Sequence, residues 1–200
     1  MASSSHTRFT SSMIDARILF SFVNSKSTQC SDQILIDQTC MKAAIASSVG
    51  CWEGYVEAVL KEFVAKTRIN AQRKSWALIA QFEAIVDKLT SELNTPSWEK
   101  VRELLIGITG VDPYTSWVFK PIFSNQQDSK EFFDGILQVR HSFAHGFTIP
   151  SNIKGLNVKG KLDMIYVKQA FDFIEFIACE TDKLLERELE TKHACFSGWS

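Results

Sequence analysis

The stretch Ser47–Lys66, SSVGCWEGYVEAVLKEFVAK, limits what the chain can fold into more than any other. Together with the residues just before it, it sets Ile45, Val49, Trp52, Val56, Val59 or Leu60, and Phe63 on one face at three-to-four spacing. The opposite side carries Ala43, Ala46, Gly50 and Gly54. A helix that is bulky on one face and small on the other can be packed on both sides, which makes it the central helix of a bundle.

The remaining segments supply helices to surround it. IDARILFSFVNS (Ile14 to Ser25) and SWALIAQFEAIVDKLTSEL (Ser75 to Leu93) are amphipathic, and NTP closes the second. SWEKVRELLIG starts at Ser97, a plain N-cap whose third following residue is Lys100 rather than a reciprocal glutamate. Gly107, Gly110 and Pro113 break the chain there. Val111 to Ser129, rich in aromatics and interrupted by Pro113 and Pro121, reads as a structured loop, with Asp128 or Ser129 expected to cap the helix that follows. Ile149 to Asp163 reads as a loop or a short hairpin. Asp163 caps the last long helix, with Met164, Val167, Phe171, Ile174, Ala178 and Leu185 in register. No strand pattern and no internal repeat appears. The expected fold is all-α, an up-and-down bundle of about five helices, forming one domain over residues 1–200 with flexible ends at 1–12 and 191–200. Two hundred residues at 45% hydrophobic content suffice for one such core.

Charge and cysteine usage exclude several function classes. Lysine plus arginine (22) balance aspartate plus glutamate (23), so a general nucleic-acid coat protein is disfavoured, while a local RNA-cleaving site is not. Cys30, Cys40, Cys51, Cys179 and Cys195 are odd in number and contain no C-x-x-C pair, which suggests neither a disulfide framework nor a zinc site and fits a reducing cytosol. MASSSHTRFTSSM lacks the apolar run of a secretory signal, and no segment reaches the roughly 18 apolar residues of a membrane span. A cytoplasmic protein without membrane contact is expected.

The chemistry concentrates in VRHSFAHG, Val139 to Gly146. Stepping about 100° per residue from Phe132 puts Phe132, Phe133, Ile136, Leu137, Val139, Phe143 and Ala144 on one arc and Asp134, Gly135, Gln138 and Ser142 on the other. Arg140 falls within the apolar arc. A guanidinium there needs a counter-ion or a route to water, and Glu53, at the edge of the central helix's apolar face, is the best-placed partner. His145 is five residues further on, about 140° round an ideal helix. For Arg140 and His145 to act together the helix must end near Ala144, and Gly146 followed by Pro150 offers a stop.

R-x4-H followed by glycine and preceded by a hydrophobic helix resembles the catalytic motif of the HEPN superfamily of helical bundles. Arg140, His141, Ala144, His145 and Gly146 stand in its places, and Trp52, Glu53 and Tyr55 look like an aromatic-glutamate-x-tyrosine pattern of the second helix near its RiboL-PSP-HEPN branch. The resemblance spans roughly Met41 to Leu189. A second pair, Arg187 and His193, also meets the looser R-x4-6-H rule, but it sits in a charged stretch that reads as a solvated helix face.

The resemblance implies a metal-independent endoribonuclease with no cofactor, a toxin or phage-defence effector restrained by an antitoxin or regulatory protein. It also implies a homodimer in which two motifs line one cleft. Histidine titrates near pH 6.5 and suits either proton transfer, and arginine presents a fixed fork to phosphate oxygens. His145 is expected as general acid/base, Arg140 on the phosphate and Glu53 as its orienting partner. His141 either shares proton transfer or phosphate contact, or hydrogen-bonds locally. Ser142 is expected on the solvated side. Tyr114 to Phe123 could serve an interface, base stacking or the core, and Lys154, Lys159 and Lys161 could guide an RNA backbone or be plain surface. Cys51 and Cys179 read as small core residues. The competing readings are a non-catalytic nucleotide- or protein-binding module, and a structural bundle in which Arg140 is only a tie to Glu53.

Overall fold

A computed structural model describes residues 2–23, 31–69, 76–93, 97–158, 160–193, 195, 198 and 199. Among these residues run six helices, α1 (Ser4–Ser21), α2 (Ser31–Ile69), α3 (Trp76–Ser91), α4 (Trp98–Thr109), α5 (Gln126–His145) and α6 (Met164–Lys192). The long α2 packs against each of the other five, as its two-sided pattern requires. Ile45, Val49, Trp52, Val56, Val59, Leu60 and Phe63 are all buried, in one core that joins α1, α2, α4, α5 and α6. Among the described residues the only β pairing is an isolated antiparallel bridge between Val158 and Lys161, in the segment read as a loop or hairpin.

Trp52 and Tyr55 fasten α2 to its neighbours. The Trp52 ring lies edge-on to Phe133 of α5 at 6.4 Å, and the Tyr55 hydroxyl donates to the Ala178 carbonyl of α6 at 3.0 Å. The segment between α4 and α5 joins the core: Trp117 stacks edge-on to Trp98 at 4.8 Å and donates its indole N–H to Thr181 Oγ1 at 2.9 Å. Phe119 and Phe123 are buried beside it, so core packing, not an exposed stacking surface, is the fate of these aromatics. Tyr114 lies under the Arg102 guanidinium instead.

Several expectations are corrected. The helix that the apolar stripe placed from Ile14 begins ten residues earlier. Ser3 caps it by accepting from the His6 N–H, and Phe9 and Met13 enter the core, so the described part of 1–12 is packed helix. Two acids hold its first turn. Asp182 of α6 accepts from the Ser3 backbone N–H at 3.0 Å and from its hydroxyl, and Glu62 of α2 accepts from the backbone and hydroxyl groups of both Ser4 and Ser5. At the other end α6 runs to Lys192, and Trp199 folds back to donate its indole N–H to the Asp182 carbonyl at 3.1 Å. The expected flexible tail is therefore docked at Trp199. Asn125, not Asp128 or Ser129, caps α5, because its side chain already accepts from the Asp128 N–H. Ser97 and Asp163 cap α4 and α6 as expected. Cys51 and Cys179 are only half-buried, and Cys30 lies outside the described residues.

The small face of α2 is covered on one flank only. Ser5, Phe9 and Ser12 of α1 face Ser47, Cys51, Tyr55 and Ala58 across a groove of about 510 Å³. Gly50 and Gly54 remain exposed, and a methyl group at either would meet no atom within 4 Å. The helix is thus packed on both sides except along this glycine edge.

Candidate active site at the end of α5

α5 is laid against the bundle by Phe132, Phe133, Ile136 and Val139, all buried. Gly135 is buried as well, contrary to its place on the polar arc. A methyl there would sit 2.8 Å from Ile153 Cγ2 and 3.2 Å from the Tyr166 hydroxyl, so only glycine lets the segment after α5 lie this close. Ser142 is likewise 3% exposed and returns its hydroxyl to the Val139 carbonyl at 2.7 Å, which removes it from the solvated side. The buried arc is rotated towards Gly135 and Ser142, and at Gly135 the cause is the close approach of Ile153 and Tyr166. Phe143, on the apolar arc by periodicity, is 41% exposed.

Arg140 leaves this buried arc and meets Glu53, the residue between the core-facing Trp52 and the open Gly54 of α2. The Nη2 to Oε1 distance is 3.8 Å, and the side chains are 27% and 20% exposed. This is an ion pair without a hydrogen bond: among the described residues, Glu53 Oε1 has no donor. The guanidinium therefore has a fixed counter-charge and uncommitted N–H groups, the state in which arginine can take a second, better-shaped anion such as phosphate.

The helix does not stop between Arg140 and His145. It runs through His145 and ends at Gly146, which adopts the left-handed conformation (φ 68°). The Phe147 N–H then bonds back to the Ser142 carbonyl at 2.9 Å, and the Gly146 N–H to that of Phe143. This paired arrangement is the Schellman ending that a glycine permits, and Ala144 gives the helix no reason to end sooner. His145 and Arg140 accordingly point from different sides of α5. His141, one turn before His145, joins the two regions. Its ring centroid is 4.3 Å from that of His145, and Phe147, turned back by the Gly146 cap, stacks on His145 at 5.8 Å. His141, His145 and Phe147 are all exposed.

Two paired imidazoles thus stand at an accessible helix end, with Arg140 one residue before the first of them and turned to Glu53. Of the expected basic loop, Lys154 is already engaged. The Lys154 ammonium bonds to Asp128 and to Glu131 at 2.8 Å, and these hydrogen bonds raise its pKa. Lys161 is exposed and Lys159 lies outside the described residues. In the second R/H pair, Arg187 is exposed while the His193 ring packs edge-on to Phe63 at 5.5 Å, so the two do not form a comparable site. Among the described residues, no group of three or more His, Cys, Asp or Glu could hold a metal ion, and no helix is long and apolar enough to cross a membrane.

In comparison with known proteins, the family described as RiboL-PSP-HEPN matches residues 15–187, a span that contains α2 to α5, Glu53 and the whole of the Arg140–His145 motif. No curated protein and no solved structure gives a match.

Proposed function

The chain belongs to the RiboL-PSP-HEPN family of the HEPN superfamily, and from that premise we propose that it is a metal-independent endoribonuclease, acting as a toxin or phage-defence effector under the restraint of an antitoxin or regulatory protein. The observation that carries this reading is Arg140, held by one loose ion pair one residue before the exposed His141–His145 pair. In the proposed reaction a general base removes the proton from a ribose 2'-hydroxyl, the 2'-oxygen forms a bond to phosphorus, and the bond to the 5'-oxygen breaks. A general acid returns a proton to that oxygen, leaving a 2',3'-cyclic phosphate and a 5'-hydroxyl.

His145 serves one of the proton transfers, each worth typically 10²–10⁴-fold, and His141 at its side supplies a second imidazole. Arg140 stabilises charge on the phosphate, and Glu53 positions it. Ser142, committed to the Val139 carbonyl, supports the helix end rather than the chemistry. Since Arg140 and His145 diverge on α5, one copy offers a sparse site, which supports a homodimer with both motifs in one cleft. The open Gly50–Gly54 edge of α2 flanks Glu53 at helical spacing, so a second copy seated there would approach the Arg140 side.

The test is cleavage of total RNA in the presence of chelator by wild type, Arg140→Ala and His145→Ala, with helicity checked by circular dichroism. Loss of cleavage in both folded variants supports the assignment, and equal cleavage by all three removes it. The Glu53–Arg140 pair itself favours one alternative, a non-catalytic module in which the arginine is a structural tie. That reading predicts that the two substitutions change stability or binding and that no preparation cleaves RNA.

A further inference from the structure

Behind the His141–His145–Phe147 cluster lies a hollow of about 300 Å³ lined by Leu137, Gln138, His141, Phe147, Thr148 and Pro150. Its volume is at the lower end of the roughly 300–1,000 Å³ of ligand pockets, a size for one flat ring system and its sugar rather than for a large cofactor. The walls are mostly apolar. Leu137 and Pro150 form two of them, and the Phe147 ring, 60% exposed, forms a third. At the rim sit the Gln138 amide and the Thr148 hydroxyl, neither of which is engaged by another side chain among the described residues. A primary amide offers both two donors and an acceptor, the combination that reads the edge of a heterocycle.

We propose that this hollow is a nucleobase subsite: it takes the base of the nucleotide next to the phosphate held by Arg140, stacks it on Phe147, and reads its edge through Gln138. The assignment deepens the ribonuclease reading and rests on it for the placement of the phosphate. An open apolar hollow with one aromatic wall suits a base, since every base has a π-face to stack. The Schellman turn at Gly146 brings the Phe147 backbone back beside α5, and its ring stacks on His145 at the edge of the hollow. Its position on the His141 side of α5 places a bound base beside the imidazoles and leaves Arg140 to the backbone.

The experiment measures binding of fluorescein-labelled 2'-O-methyl hexanucleotides of A, C, G and U by anisotropy. These lack the free 2'-hydroxyl and cannot be cut. Full-length wild type, Phe147→Ala, Gln138→Leu and Arg140→Ala are compared. Gln138 and Phe147 are exposed, and a thermal melt verifies that their variants fold. The expected result is a preference of wild type for one base, weakened about 5- to 100-fold for every hexamer by Phe147→Ala. Gln138→Leu should flatten the preference, and Arg140→Ala should weaken all four hexamers alike. Equal binding of the four by wild type, no binding at all, or variants at positions 138 and 147 that behave as wild type would overturn the subsite. If that happens while Arg140-dependent cleavage in chelator persists, the ribonuclease reading stands without this pocket. If the preference holds and cleavage is absent, the subsite stands as a base-recognising site and the catalytic reading falls.

Discussion

Arg140 of α5 and Glu53 of α2 face each other at 3.8 Å with no hydrogen bond between them. A pair so loosely made contributes modestly to stability, because the 3.8 Å separation leaves the buried Glu53 Oε1 without a hydrogen bond to offset its lost hydration. Glu53→Ala should lower stability by about 1 kcal/mol, well short of the roughly 3–5 kcal/mol for breaking a fully buried pair, and lower Tm by about 2–4 °C. Its effect on chelator-resistant RNA cleavage should be larger, up to about 10²-fold, since it frees the guanidinium to wander. Combined with Arg140→Ala it should add little to the loss. Calorimetry and cleavage rates on the single and double variants check this.

Gly146 ends α5 in a conformation that costs other residues about 1–2 kcal/mol. Gly146→Ala should therefore lower stability by about that amount and release Phe147 from its stack on His145. The measurements are a thermal melt and the chemical-shift change of the His145 ring protons. Unchanged shifts would show that the cap does not set the position of Phe147.

The open edge at Gly50 and Gly54 separates the effects of size. Gly54→Ala fits the isolated chain and should stabilise α2 by up to about 1 kcal/mol. If a second copy seats against this edge, Gly54→Leu shifts the oligomer towards monomer without unfolding it. Sedimentation equilibrium reads the difference, and an unchanged mass for Gly54→Leu would place the dimer contact elsewhere.

Glu62 and Asp182 give the acid limb of stability two opposing slopes. Burial pushes the Glu62 carboxyl up, but hydrogen bonds from Ser5 and Ser4 outweigh it and hold the group below its ordinary value. Its stabilisation is present above the ordinary glutamate range, near pH 4.3, and is lost as pH falls through the lowered folded value. Asp182 is raised, chiefly by burial, so its contribution is full below the ordinary aspartate range and is lost as pH rises through its folded value. Glu62→Gln should cost about 1 kcal/mol at pH 7, as the loss of a helix cap does, and should flatten the decline in Tm below pH 4. A steeper decline in the variant would contradict the assignment.

Much of this architecture was legible in the residues. The one-sided bulk of Ile45 to Phe63 identified α2 as the hub, and Arg140 in an apolar arc called for an acid that Glu53 provides. What could not be read was where burial stops along a helix. Periodicity placed Gly135 and Ser142 on the polar side, yet both are buried, Gly135 by the return of Ile153 against it. The serine-rich start of α1 has weak helix propensity, and its helix depends on Glu62 and Asp182, far away in sequence. The helix ends one residue beyond Ala144 for a related reason. Gly146 is the left-handed residue just after the helix, so His145 belongs to it, and Phe147 enters the site by the turn.

Ser3 donates to the side chain of Asp182 and Trp199 to its carbonyl, so residues near both ends of the sequence are tied to one turn of α6. A helix-capping amide and an indole hydrogen outside the helices ordinarily exchange almost as fast as in free peptides. Here the Ser3 amide and the Trp199 indole hydrogen should exchange on the slow clock of α6, because opening either one requires disturbing the same aspartate.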